Sequence, residues 1–164
     1  RVAINVSAGQ FKHSKFVEDM NEQMKIAGVS GSAIELEITE SLLIDDIEKT
    51  AKTMRQLKDC GITFALDDFG TGYASLGYLK ELPLNRLKID QSFVQDLTQD
   101  RNDTAIVQTI LALGRSLEME VIAEGIETEE QLVTLEKLGC SQFQGFYFSL
   151  PEPLDALTNA KETT

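Results

Sequence analysis

No stretch of this sequence stays apolar for the roughly 18 residues that a membrane-spanning helix needs, and its first residues lack the pattern of an export signal. No membrane span is expected within the segment, and any anchor of a parent protein would lie in other domains. Basic residues are scarce: 15 Lys and Arg stand against 27 Asp and Glu, a formal charge of −12. That field opposes nonspecific binding to DNA, to RNA polymers and to anionic membrane, so a phosphate-bearing ligand has to be met by metal ions or by a local basic group. The two cysteines, Cys60 and Cys140, each sit beside a glycine at the end of a helical stretch, without Cys-x-x-Cys or Cys/His spacing. They read as reduced packing thiols of a cytoplasmic protein. The single histidine, His13, has no acidic or cysteine partner at ligand spacing and reads as a surface residue. Tyr73, Tyr78 and Phe148 read as packing groups rather than base-stacking ones.

What is present fits one soluble domain: 164 residues, 42% of them hydrophobic, are enough for a sizeable core. The chain opens on Arg1, directly in a strand, and so reads as a piece of something longer. Short apolar strands alternate with longer amphipathic helices. Strands are predicted at 2–6, 34–39, 63–66, 86–90, 120–123 and 146–148. Helices are predicted at 15–27, at 45–60 (stopped by Gly61), within 73–81, at 104–117 (capped by Asp103) and at 129–138. Pro151 and Pro153 end the pattern, and residues 159–164 read as a frayed tail.

Strands separated by helices imply parallel pairing through right-handed crossovers, in either a doubly wound sheet or a (β/α) barrel. A doubly wound sheet calls for a Gly-rich phosphate loop after the first strand, and Asn5-Val6-Ser7-Ala8-Gly9 is not one. A barrel calls for polar residues at the C-terminal ends of many strands, converging on one mouth. Asn5, Glu37, Asp67 with Asp68, Lys88 with Asp90, Glu124 with Glu127, and Gln144 fit that demand. Six strands are countable where a closed barrel of this kind has eight.

Two adjacent carboxylates at the mouth of a buried strand, as in Phe64-Ala65-Leu66-Asp67-Asp68-Phe69, are costly unless positive charge sits between them, which points to metal ions. Taken singly, each group has a plainer reading. Asp67-Asp68 could cap a turn, Glu37 could face solvent and Lys88 could snorkel outward. Asn5 could belong to a turn, and Glu124 with Glu127 could form an acidic first helical turn. Their joint occurrence at the ends of five consecutive strands favours a functional origin.

Asn5-Val6-Ser7, ELEITES from Glu35, DDFGTGYASL from Asp67, KIDQSF from Lys88, EVIAEGIET from Glu120 and QGFYFSLP from Gln144 together resemble the successive motifs of the EAL-domain family. The resemblance runs in order and without a gap from Arg1 to about Pro153, leaving 154–164 as a C-terminal tail. It implies a TIM-type (β/α)8 barrel, of which this chain supplies about six β/α units. It also implies hydrolysis of the bacterial second messenger cyclic di-GMP to linear pGpG with two Mg2+ or Mn2+ ions. The family's Glu-Ala-Leu strand and the first two barrel strands have no counterpart here. By resemblance, Asn5, Glu37 and Asp67 hold the first ion, and Asp67, Asp68 and Glu124 the second, with Asp67 as the bridge that ions about 3.5 to 4 Å apart require. Lys88 would orient or deprotonate the attacking water and stabilise negative charge. Glu127 would position Lys88, while Gln144 would reach water or phosphate and Asp90 would support the site. Glu40 would steady the loop from Asp68 to Ser75, whose Gly70, Thr71 and Gly72 supply conformational freedom and a link to a dimer interface.

The expected partners are cyclic di-GMP, flanking sensor or GGDEF domains, and either a second copy or an N-terminal segment that covers the open sheet edges. The isolated segment is expected to hydrolyse weakly or not at all, one carboxylate of the first ion being absent. The alternative is a noncatalytic cyclic di-GMP-binding sensor or interaction module. An enolase-like barrel with one magnesium fits less well, because the adjacent Asp pair and Lys-x-Asp replace that family's single acids and Lys-x-Lys.

Overall fold

The computed structural model describes residues 1–43, 46–72 and 76–153. The strands are β1 (Val2–Asn5), β2 (Ile34–Thr39), β3 (Thr63–Phe69), β4 (Arg86–Ile89), β5 (Glu120–Ala123) and β6 (Gln142–Phe143). All neighbouring pairs are parallel, in the order β1-β2-β3-β4-β5-β6, and the sheet curls into a half-barrel of the α/β TIM type. Chain order and spatial order coincide, as right-handed β-helix-β crossovers always stepping the same way require.

Among the described residues, seven α-helices run between the strands: α1 (Ala8–Phe11), α2 (Phe16–Ala27), α3 (Ile47–Asp59), α4 (Leu76–Glu81), α5 (Gln91–Gln95), α6 (Arg101–Ser116) and α7 (Glu129–Leu138). Local chemistry sets their ends. Ser7 and Gln10 form a capping box on α1, and Thr128 and Gln131 form another on α7. The carboxylate of Asp46 accepts from Lys49 N at the start of α3. Gly28 and Gly139 take left-handed φ values of 64° and 89° where α2 and α7 stop.

Period-2 alternation divides the strands into two faces. Leu36, Ile38, Phe64, Leu66, Leu87 and Ile89 point outward and are fully buried, in one core with Met54 and Leu57 of α3, Leu79 of α4, and Val107 and Ile110 of α6. The concave face carries Glu35, Glu37, Thr63, Asp67, Arg86, Lys88, Glu120 and Glu124, which pair with one another. Burying aliphatic groups on the convex face thus leaves the concave face free for charge.

Several sequence expectations are corrected. The last strand is Gln142–Phe143, not 146–148: Tyr147 N donates to Ile126 O at 2.9 Å and Phe148 N to Gly145 O at 3.1 Å, which folds the aromatic run into a turn. β3 does not end at Leu66. It continues to Phe69 through a register shift in which Leu66 pairs with Leu87 and Phe69 with Ile89, three steps on β3 against two on β4. Asp100, not Asp103, caps α6 by accepting from Asn102 N, and the helix begins three residues earlier than Thr104. The short helices α1 and α5 were not expected. His13 does have an acidic neighbour, Asp19 at 3.9 Å, but both are exposed and the pair contributes little. Both cysteines are free; burial pushes the Cys140 thiol above its ordinary value, as suits a packing group. The expected tail 154–164 and Tyr73–Ser75 of the loop lie outside the described residues.

Candidate active site

Four side chains from four adjacent strands meet at the C-terminal mouth of the half-barrel. Lys88 Nζ of β4 lies 2.9 Å from Glu37 Oε2 of β2, 2.9 Å from Asp67 Oδ1 of β3 and 2.9 Å from Glu124 Oε1 just after β5. The Lys88 side chain is 6% exposed, and the three acids are mostly buried. Burial opposes the charge on Lys88, but its hydrogen bonds to Glu37, Asp67 and Glu124 prevail and lift its pKa well above the ordinary lysine value. These contacts favour the charged ammonium form of Lys88. Glu124 moves the other way for a carboxylate: burial, aided by the negative charges of Asp67 and Glu37, raises its pKa despite Lys88.

The register shift in β3 explains how two consecutive aspartates can serve one mouth. In regular pleat they would face opposite sides. Asp67 points inward, Asp68 takes the left-handed region at φ 54°, and Phe69 returns to the core, 7% exposed. Asp68 N donates to Asp67 Oδ1 at 3.1 Å. Desolvation first, then the charge of Asp67 and contact with Asp90, raise the Asp68 pKa. A positive φ at a non-glycine residue is the kind of local strain that functional sites hold.

The loop after β3 hangs on Glu40, which is buried and accepts from Gly70 N at 2.9 Å. Any Cβ at Gly72 would collide with the Glu40 carboxylate, and Gly70 adopts φ 101°. Thr71 Oγ1 donates to Asp68 O at 2.8 Å. Next to these groups lies a cavity of about 300 Å³ lined by Asp68, Asp90, Gln91, Glu124, Glu127, Gln144 and Phe146 among others. A wider, shallower depression of about 970 Å³ between α3 and α4 carries Lys49, Lys52, Arg55 and Tyr78. Glu124 of the Lys88 cluster lines the smaller cavity together with Asp68, which ties that cavity to the strand ends.

Of the expected site residues, Asn5 ends β1 opposite Glu37 in register and is exposed. Asp90 caps α5, accepting from Ser92 N at 2.9 Å. Gln144 lines the cavity, with its backbone bonded to Ala123 O and Ile126 N. Glu127 is exposed and lines the cavity, and it is not among the ion-pair partners of Lys88 in the described residues. Among those residues, no group of three or more His, Cys, Asp or Glu side chains forms a ready-made cation cage; the acids gather on Lys88 instead. The donor set is nonetheless all oxygen, convergent and in excess of positive charge, which suits hard divalent cations.

Two features escaped the sequence reading. Gln131 is buried, its Oε1 accepting from Glu127 N at 2.9 Å and Thr128 N at 3.0 Å, so it fixes the loop that bears Glu124 and Glu127. A second ion cluster lies deeper in the half-barrel, where Arg86 Nη1 is 2.5 Å from Glu35 Oε1 and Nη2 is 2.6 Å from Glu120 Oε2. Its signal was in the sequence: Glu35-x-Glu37 and Arg86-x-Lys88 are charged pairs at strand period 2, so each deeper charge shares a face with a mouth residue.

The chain is similar to known proteins. Cyclic di-GMP phosphodiesterase NbdA of Pseudomonas aeruginosa is 40% identical over 157 residues, covering 96% of this chain and 20% of that protein. The P. aeruginosa MucR phosphodiesterase, solved in complex with c-di-GMP, superposes with a TM-score of 0.92 at 42% identity, over 96% of this chain and 64% of that one. Klebsiella pneumoniae BlrP1, solved with manganese and cyclic di-GMP, gives a TM-score of 0.85 at 32% identity, over 92% of this chain and 39% of that one. The chain thus spans about a fifth of the length of the curated relatives it matches. With residues 1–151 also matched by the model of the EAL domain, the parallel half-barrel belongs to a known lineage: this chain is a member of the EAL-domain family.

Proposed function

We propose that this chain carries most of the active site of a metal-dependent phosphodiesterase that hydrolyses cyclic di-GMP to linear pGpG. The observation that supports this most is Lys88 held at 2.9 Å by carboxylates from three separate strand ends. When bound, a pair of Mg2+ or Mn2+ ions supplies Lewis-acid stabilisation of phosphate charge and activation of water. Asn5, Glu37 and Asp67 would hold one ion, and Asp67, Asp68 and Glu124 the other. A lysine so firmly protonated acts as a donor and a positive charge, so Lys88 orients the attacking water and offsets negative charge on the phosphate. It could take a proton only once its carboxylates were drawn away from it. Gln144, Glu127 and Asp90 line the cavity beside Asp68, which supports a role for them in meeting water or phosphate.

The setting is inferred in the same way. MucR is named as a bifunctional diguanylate cyclase and phosphodiesterase, which supports flanking signalling domains, GGDEF among them, around residues 1–153. No helix of the described residues is long and apolar enough to cross a membrane. The outer edge of β1 has no partner strand among the described residues, which supports coverage by further strands of a longer chain or by a second copy. Segment 1–164 alone is accordingly expected to turn over more slowly than a longer chain. A noncatalytic sensor would keep the fold without needing the acids that gather on Lys88.

The test is Lys88→Ala or Asp67→Asn in the full-length protein, followed by release of pGpG from cyclic di-GMP. Each should lower turnover at least about 100-fold. Unchanged pGpG production would overturn the assignment.

A further inference from the structure

We propose that Arg86 is a positioning residue: by clamping Glu35 and Glu120 below the mouth of the half-barrel, it sets the curvature that brings Glu37, Asp67 and Glu124 together around Lys88, the acid set a divalent cation would draw on. The inference rests on the phosphodiesterase reading of the mouth and concerns how that mouth is built.

Three observations carry it. First, β2 and β4 are not hydrogen-bonded to each other, since β3 lies between them. The 2.5 Å Arg86–Glu35 pair therefore spans the concavity of the sheet, as does the Lys88–Glu37 pair one layer above it. Sheet twist alone leaves the degree of curl open, and two cross-concavity pairs at two depths restrict it. Second, the geometry leaves little slack. Arg86 and Lys88 are two residues apart on β4, and Glu35 and Glu37 two apart on β2, so a change in the lower span is transmitted through a rigid strand to the upper one. The side chain of Glu35 is 3% exposed, and its second oxygen is engaged by Arg1 Nη1 and Thr63 Oγ1, both at 3.4 Å. Third, what lies between is small. β3 presents Thr63 and Ala65 to this depth, with no bulky side chain to hold the strands apart by packing. The guanidinium, a planar fork that reaches two carboxylates at once, does the spacing there.

A residue that matters only for stability and one that positions the mouth predict different outcomes. Replacing a buried ion pair on both sides by apolar side chains of similar length commonly restores stability, whereas removing one partner does not. In the full-length protein, Arg86→Met should lower the melting temperature and raise the Kd for Mn2+, measured calorimetrically, by about 10- to 100-fold, the range found for groups that orient metal ligands. The double variant Glu35→Met/Arg86→Met should recover the melting temperature while Mn2+ binding stays weakened. Arg86→Lys, which keeps the charge but loses the fork, should fall between wild type and Arg86→Met in Mn2+ affinity. An unchanged Mn2+ Kd in the folded double variant would overturn the proposal, as would the absence of saturable Mn2+ binding in the unsubstituted protein. Mn2+ binding without cyclic di-GMP hydrolysis in the unsubstituted protein would instead refute the phosphodiesterase reading, and the effect of Arg86 on the mouth would still be read from the Kd.

Discussion

The mouth and the depth of the half-barrel are built on one scheme, a cation from β4 between acids of β2 and β5, yet their charge balance differs. In the depth, Arg86 and Arg1 face Glu35 and Glu120, so positive and negative charges match. At the mouth, Lys88 is the one cation among the described residues that faces Glu37, Asp67 and Glu124, which leaves the acids in excess in a mostly buried place. Balanced charge is what structural clusters tolerate. A surplus costs stability and persists where function demands it. The difference marks the mouth as the place where a further cation is wanted, and the depth as its support.

That contrast can be broken most forcefully at Asp67. Asp67→Asn should cut phosphodiesterase turnover by at least about 100-fold while the melting temperature holds or rises, because the substitution relieves like-charge crowding. A matching loss of stability in thermal unfolding would contradict the idea of a charge surplus. In the depth the expectation is reversed in kind. Glu35→Ala takes the buried carboxylate from Arg86 Nη1, leaving Glu120 on Nη2, and should reduce unfolding free energy by about 3 kcal/mol in urea titrations. Convex-face packing offers a third reference: Leu87→Ala should cost about 2 to 5 kcal/mol with no change in Mn2+ affinity beyond that of partial unfolding. Gly72→Ala drives a Cβ into the Glu40 carboxylate and should lower turnover about tenfold through the Asp68 loop, with little change in the melting temperature.

The smallest effect concerns pH. Hydrogen bonding from Arg86, then from Gln142, holds the Glu120 carboxyl below its ordinary value of 4.5. A depressed folded-state value means that this interaction stabilises the fold above about pH 4.5 and fades as pH falls toward the folded-state value. Glu120 is largely solvent-exposed, so Glu120→Gln should lose less than about 1 kcal/mol at neutral pH and nothing in strong acid. A gap between the two proteins that persists at the acid end of pH-dependent urea unfolding would show that charge is not its origin.

Much of this was readable from residue order. Alternating E-L-E-I-T and R-L-K-I-D, and acids closing successive strands, located Glu37, Asp67, Lys88 and Glu124 before any coordinates, because strand period and chain direction dictate which groups reach the mouth. The reading failed where nonlocal partners decided the outcome. Phe146-Tyr147-Phe148 has strand propensity, but the carbonyl of Ile126 captures Tyr147 N and turns the chain, leaving Gln142 and Phe143 to complete the ladder. Asp103 looks like a cap, yet Asp100 reaches Asn102 N first.

Sequence by itself determined the parallel α/β order, the two-faced strands and the residues that compete for one mouth, since all of these follow from spacing along the chain. Tertiary structure alone decided that Lys88 sits equidistant from three acids, that a register shift turns Asp67 and Asp68 to one site, and that Arg86 spans a concavity to Glu35. Those facts depend on how far the sheet curls, and curl is set by contacts between strands that are distant in sequence.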